Sequence, residues 1–259
     1  MNELQKRIMS GVIGVLLLIF LIIKNGIYYK IALFAISLIA LYEFKKAVYN
    51  SNIELSAIYL ILSSLSIFYE IVMHNTIQYS LILVIVLTAL NILTKEDNLV
   101  NSACSLFAII YLSYNFMLMG TIEHKVIQGL IFVIAFSTDT FAYIFGMNFG
   151  KNKLCPTISP NKSVEGAIGG VFGCIIVCFI YLKLLTDFNI LKILGVAIAG
   201  SIVSQLGDLT ASRIKRANDI KDFGYIIPGH GGIMDRFDSV ILVAPTVYFV
   251  IYGLFNGGY

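Results

Sequence analysis

Polar residues are so sparse along this chain that its organisation is read from where they interrupt the apolar runs. An α-helix needs roughly 20 apolar residues to cross a hydrocarbon core of about 30 Å. Windows of that kind recur nine times, over 8–23, 27–42, 53–72, 76–93, 99–120, 126–147, 164–185, 188–207 and 238–256. The breaks carry turn or charge signals: Lys24-Asn25-Gly26 between the first two, the run Thr94 to Asn98 after the fourth, and Thr186-Asp187 after the seventh. The pattern predicts an all-α integral membrane protein with about nine transmembrane helices. The first run follows Lys6-Arg7, and no small-x-small cleavage site comes before Lys24, so a retained first helix is expected rather than a removed leader.

Composition makes the membrane reading necessary. The 259 residues are 58% hydrophobic and 13% charged, with a mean hydropathy of +0.88. Soluble domains carry about 25% charged residues. A water-soluble fold of this length would lack the polar groups to cover itself. A net charge of +3 is too small to point to nucleic acid. The placement of the charges says more than their sum. With the N-terminus in the cytoplasm, thirteen of the eighteen Lys and Arg fall on the inner side and five (Lys24, Lys30, Lys125, Lys183, Lys192) on the outer side. The positive-inside rule therefore favours a cytoplasmic N-terminus in a multi-pass protein of the cell membrane. Cys104, Cys155, Cys174 and Cys178 contain no C-x-x-C pair, and Cys174 and Cys178, at i,i+4 in an apolar run, read as packing.

The two halves differ in chemistry. Residues 1–135 form N-terminal spans with few ionisable groups inside them, whereas residues 136–259 form a C-terminal region holding nearly all the Gly, Pro, Lys and Asp motifs. Asp139 sits within the sixth span, and a carboxylate at such depth is a functional-site hypothesis, a structural Asp bonded by its neighbours being the alternative. The loop from Gly146 to Gly166 sets Lys151, Lys153 and Lys162 among glycines and prolines, with Ser159 and Ser163 beside them. It suits phosphate binding through ammonium groups and backbone N–H, and equally an ordinary basic loop. Ser163 is placed to cap the seventh span, with Glu165 in its first turn. Gly166, Gly169, Gly170 and Gly173 lie at the small-residue spacing of closely packed helices.

The densest signal is 204–238. Ser204, Asp208, Ser212 and Lys215 fall on one helix stripe that runs from an apolar span into Arg213, Lys215 and Arg216. Lys221, Asp222 and Gly224 follow. Then comes Pro228-Gly229-His230-Gly231-Gly232, a tight turn that exposes backbone, and after it Asp235, Arg236 and Asp238, the two aspartates sharing a face at i,i+3. Carboxylates at two helix ends, beside a glycine turn and several cations, suit an oxygen-ligated Mg²⁺ and a polyphosphate. Zinc is disfavoured because His230 has no His or Cys partner at ligand spacing.

Position for position, Ser212 to Asp238 resembles the signature of the phosphatidate cytidylyltransferases, or CDP-diglyceride synthases. Asp139, the Gly150-Lys151-x-Lys153-Leu154-x-Pro156 loop, Ser159 to Ser163 and Glu165-Gly166 are similar to that family as well. The likeness covers about 136–240. Phe141 and Met147 depart from it where a glycine and an arginine are usual, and Val164 where an aromatic is common.

The resemblance implies that CTP and phosphatidate give CDP-diacylglycerol and pyrophosphate at the cytoplasmic membrane face. It implies Mg²⁺ on Asp208 and Asp235, with room for a second, monovalent ion such as K⁺. Lys215, Arg216, Lys221 and Arg236, with Lys151 and Lys162, would neutralise phosphates, and His230 would bind a phosphate or move a proton. Asp139, Lys153, Ser159, Ser163, Glu165, Asp222, Gly231, Gly232 and Asp238 complete the expected substrate contacts. The expected partners are CTP, phosphatidate and the lipid bilayer, and a homo-oligomer is compatible with the pattern. Two other readings fit part of it: an anion transporter, and a CTP-dependent polyprenol or phytol kinase that moves the γ-phosphate instead of CMP.

Overall fold

A computed structural model describes residues 3–93, 99–187, 189–227, 229 and 231–254. Each of the nine apolar windows falls on a helical segment. These are α1 (Glu3–Lys24), α2 (Gly26–Tyr49), α3 (Ala57–His74), α4 (Gln78–Leu93), α5 (Leu99–Ala108) continued by a π-helical stretch (Ile109–Tyr114) into α6 (Asn115–Met119), α7 (Lys125–Phe149), α8 (Val164–Leu185), α9 (Ile190–Ala217), and α10 (Met234–Tyr248) continued by a π-helical stretch (Phe249–Leu254). An all-α membrane protein is what these helices make. Among the described residues, five segments are both long and apolar enough to cross a bilayer: α3, α5 through α6, α7, α8 and α9. Their outward side chains are large and apolar, as lipid requires; Ile58 of α3 and Leu184 of α8 are each more than 70% exposed. The break at 94–98, with Lys95 of the charge tally, lies outside the described residues.

The periodic pattern underestimates some helices. α2 runs seven residues past the apolar window that ends at 42, and α9 runs ten past the window that ends at 207. Polar residues continue a helix as readily as apolar ones once its backbone bonds are being made, so hydropathy marks the membrane stretch and not the helix end. One element has no counterpart in the pattern. The loop after α7 folds as an antiparallel hairpin of β1 (Lys153–Cys155) and β2 (Ser159–Ser163), with Lys153 opposite Ser163.

The chain divides into two compact units. One comprises 1–123 and 217–237, the other 124–216 and 238–259. In the first, Phe44, Ile67, Ile109, Leu112, Phe116 and Met117 form the fully buried core. Polar ties inside it join segments far apart in the chain: Lys30 Nζ donates to the Ile71 carbonyl at 2.9 Å near the end of α3, and Ser51 Oγ donates to Asn218 Oδ1 at 2.7 Å. The second unit is built on α7 and α8 lying antiparallel. Gly146 meets Gly166, Phe145 lies against Gly169, and Phe141 against Gly173. The α8 glycines thus form a groove that α7 fills, as their spacing predicts, and Phe141 occupies it. α9 joins through Thr138 Oγ1 to Ser201 Oγ (2.9 Å) and Gln205 Nε2 to the Ala167 carbonyl (3.1 Å). Cys174 and Cys178 are buried in this packing.

Candidate active site

Within the second unit, one cavity of about 620 Å³ gathers residues from α7, the hairpin, α8 and α9. Asp139, Ser159, Lys162, Ser163 and Asp208 all line it, with Asn161, Gly146 and Gln205. Lys162, near the end of β2, forms an ion pair with Asp208 on α9. Ser212 Oγ, one turn further along the same stripe, donates to Asp208 Oδ1 at 3.3 Å. Asp139 Oδ2 accepts from Ser239 Oγ at 2.8 Å. The charges of Asp139 and Asp238 both interact with that of Asp208, offset by Lys162 and Lys215 respectively. Three carboxylates and two lysines in one neighbourhood make a place where anionic and cationic ligands are both electrostatically favoured.

The hairpin presents Lys162 because its two ends are tied down. Ser163 Oγ accepts from the Gly166 N–H at 3.1 Å, which caps α8 as its position predicts. The Glu165 carboxylate accepts from the backbone N–H of Lys151 (3.1 Å) and of Asn152 (3.2 Å), and from Asn152 Nδ2 (2.8 Å). Glu165, a substrate contact by resemblance, is thereby engaged in holding the start of the loop. Lys151 and Lys153 are exposed and do not line the cavity.

The first unit carries a second polar cluster, built on the signature loop. Asp235, in the first turn of α10 and only 7% exposed, accepts with Oδ2 from the N–H of Phe223 (2.8 Å) and of Gly232 (3.0 Å). The turn expected at 228–232 is closed by the Ile227 N–H donating to the Gly231 carbonyl at 2.9 Å, with Gly229 at φ 74° and Gly231 at φ 84°. Pro228 and His230 lie outside the described residues. Beside this loop a cavity of about 490 Å³ is lined by Lys221 and Asp222, together with Tyr42, Glu43, Lys46 and Tyr225. Arg216 and Arg236 are exposed.

Asp208 and Asp235, the expected metal ligands, thus belong to different units, each with partners of its own. Motif reading missed Glu43, which is 2% exposed at the end of α2 and bound to the α10 start. Its one signal was a carboxylate immediately after the apolar window 27–42, and beside Lys45-Lys46 it reads as a membrane boundary.

Helices with apolar outer faces, around a pocket lined by Asp139, Asp208 and Lys162, define a helical integral membrane protein. The Cytidylyltransferase family model matches residues 5–254. The chain is 32% identical to the phosphatidate cytidylyltransferase of Bacillus subtilis over 97% of this chain and 98% of that protein. It is 33% identical to that of Staphylococcus saprophyticus over 94% of this chain and 97% of that protein. Against that of Staphylococcus aureus it is 42% identical over 151 residues, 57% of this chain and 58% of that protein. The chain belongs to the cytidylyltransferase family.

Proposed function

We propose that this chain transfers CMP from CTP to phosphatidate, giving CDP-diacylglycerol and pyrophosphate for phospholipid synthesis. The observation that carries this reading is the cavity in which Asp139, Lys162 and Asp208 meet, in a chain alike from end to end to proteins named for that reaction. A phosphatidate phosphate oxygen attacks the α-phosphorus of CTP, the bond from that phosphorus to the β-phosphate bridging oxygen breaks, and pyrophosphate leaves with the electron pair. Two anions must approach each other, so catalysis consists mostly of orientation and charge neutralisation. Lys162 is the cation set inside the cavity. Lys215 offsets the charge of Asp238, and Lys151, Arg216, Lys221 and Arg236 would supply further positive charge where phosphates arrive.

The donors suit Mg²⁺, with Asp208 and Asp235 as its proposed ligands and a monovalent ion such as K⁺ as a second occupant. Among the described residues no group of three or more His, Cys, Asp or Glu is arranged to hold a metal. Mg²⁺ needs no such cage, because it binds through one or two carboxylates, waters and substrate phosphates. When bound it would supply Lewis-acid stabilisation of phosphate charge. The reading also places nine spans in the cell membrane with the N-terminus and the site on the cytoplasmic side. CTP then arrives from water while the acyl chains stay in lipid.

The test is a vesicle assay with phosphatidate and CTP labelled separately at the α- and γ-phosphates. Appearance of α-label in the lipid and γ-label in pyrophosphate is the expected result. Gamma-label in the lipid would instead mean kinase chemistry.

A further inference from the structure

α10 begins without a cap of its own. The residue before it is Ile233, whose side chain accepts no hydrogen bond, yet the first N–H groups of any helix need acceptors. They find them 190 residues earlier in the chain. Glu43 Oε1 accepts from the Ile233 N–H at 3.0 Å and Oε2 from the Met234 N–H at 2.8 Å. Glu43 is 2% exposed, so bulk water competes little for these bonds. Asp235 is the next residue in the helix, and its own Oδ2 is held by the Gly232 and Phe223 N–H groups. Two carboxylates whose charges repel are thus held close together by four backbone N–H groups at a helix N-terminus, whose dipole favours both.

The glycines of the signature loop fit this arrangement. A Cβ at Gly224 or Gly232 would press into the Glu43 carboxylate, and one at Gly231 would come 3.0 Å from Asp235 Oδ2. The loop folds around the two carboxylates, and side chains there would push them apart.

We infer that Glu43 is a positioning residue for the reaction: it caps α10 from α2, and so fixes the orientation of Asp235 and the path of the loop from Phe223 to Met234. The inference rests on the proposed role of Asp235 in CMP transfer. A buried glutamate elsewhere provides a matched control. Glu70, 4% exposed on α3, accepts from the Tyr79 N–H (3.0 Å) and from Thr76 Oγ1 (2.7 Å) at the start of α4, far in sequence from every signature residue.

The experiment compares Glu43→Gln, Glu43→Ala and Glu70→Gln with the wild type in detergent. It measures kcat and KM for both substrates, and amide exchange over 220–236. In Glu43→Ala, kcat per folded molecule falls at least about ten-fold, the loss expected from one charge-assisted hydrogen bond. Exchange at Phe223 and Gly232 to Met234 rises with it. Glu43→Gln, which keeps one acceptor oxygen, recovers part of both, while Glu70→Gln lowers thermal stability and leaves kcat within two-fold. Unchanged exchange in both Glu43 variants would overturn the inference. Faster exchange with full kcat would overturn it too, as would a kcat loss no larger than that of Glu70→Gln. A wild type that moves no CMP to phosphatidate would instead remove the reaction reading itself, and the exchange data would still decide whether Glu43 holds the loop.

Discussion

Lys162 illustrates how one side chain's meaning depends on its partner. On a basic loop it is an ordinary inner-side lysine, but paired with Asp208 inside a cavity it is a cation held ready beside carboxylates. With 28% and 25% of the two side chains exposed, the pair is partly buried and its interaction is less screened than in bulk water. Replacing it with Met is expected to lower kcat/KM for CTP by about 10², the loss typical of one preorganised donor. Lys162→Arg keeps the charge and is expected to retain more activity, which steady-state assays of both variants would reveal. Asp208→Asn leaves Lys162 without its carboxylate and is expected to lose nearly all transfer. Full activity in a folded Asp208→Asn protein would count against the site.

At the scale of elements, the α7–α8 pair is the platform on which Asp139 and the hairpin stand. Its glycines work as absences: the Phe145 ring occupies the space a side chain at Gly169 would need. Gly169→Leu is therefore expected to cost about 1–3 kcal/mol by overpacking, read as a lower midpoint in detergent thermal unfolding. The same change at Gly14 of α1, where a Cβ would meet no packing neighbour within 4 Å, is expected to leave the midpoint unchanged. Pro245 inside α10 removes one backbone donor, and the helix turns to π-helical bonding four residues later.

For the whole molecule, two expectations concern the membrane and the ion. Single cysteines introduced into a cysteine-free background should report the topology. Those at Asn152 and Asp219 are expected to react with an impermeant reagent only from the cytoplasmic side, and those at Asn25 and Asn75 only from the outside. Reaction of both sets from one side would overturn the nine-span reading. Chelation of divalent ions is expected to abolish transfer, and added Mg²⁺ to restore it. Activity that persists in excess chelator would exclude the metal role.

Among the described residues hydropathy alone located the helical segments, because lipid imposes one rule on each span separately: apolar side chains outside and all backbone bonds within. That rule needs no partner, so it is written locally at α7 as plainly as at α8. The chemistry of 204–238 was legible for the same reason, its residue types being dense and contiguous. Pairings were not legible. Nothing near Lys162 names Asp208, 46 residues later, nor does anything near Glu43 name the N–H groups of Ile233 and Met234. Nor does anything near Glu165 name the N–H groups of Lys151 and Asn152 that its carboxylate accepts from. Such contacts come from chain segments brought together by packing, and a side chain's role there follows from which donors reach it. The sequence by itself determined the solvent this protein lives in, its helices and its family. Only the tertiary structure decided which carboxylates face the cavity and which hold the backbone, because hydrogen-bond partners are chosen in space and not along the chain.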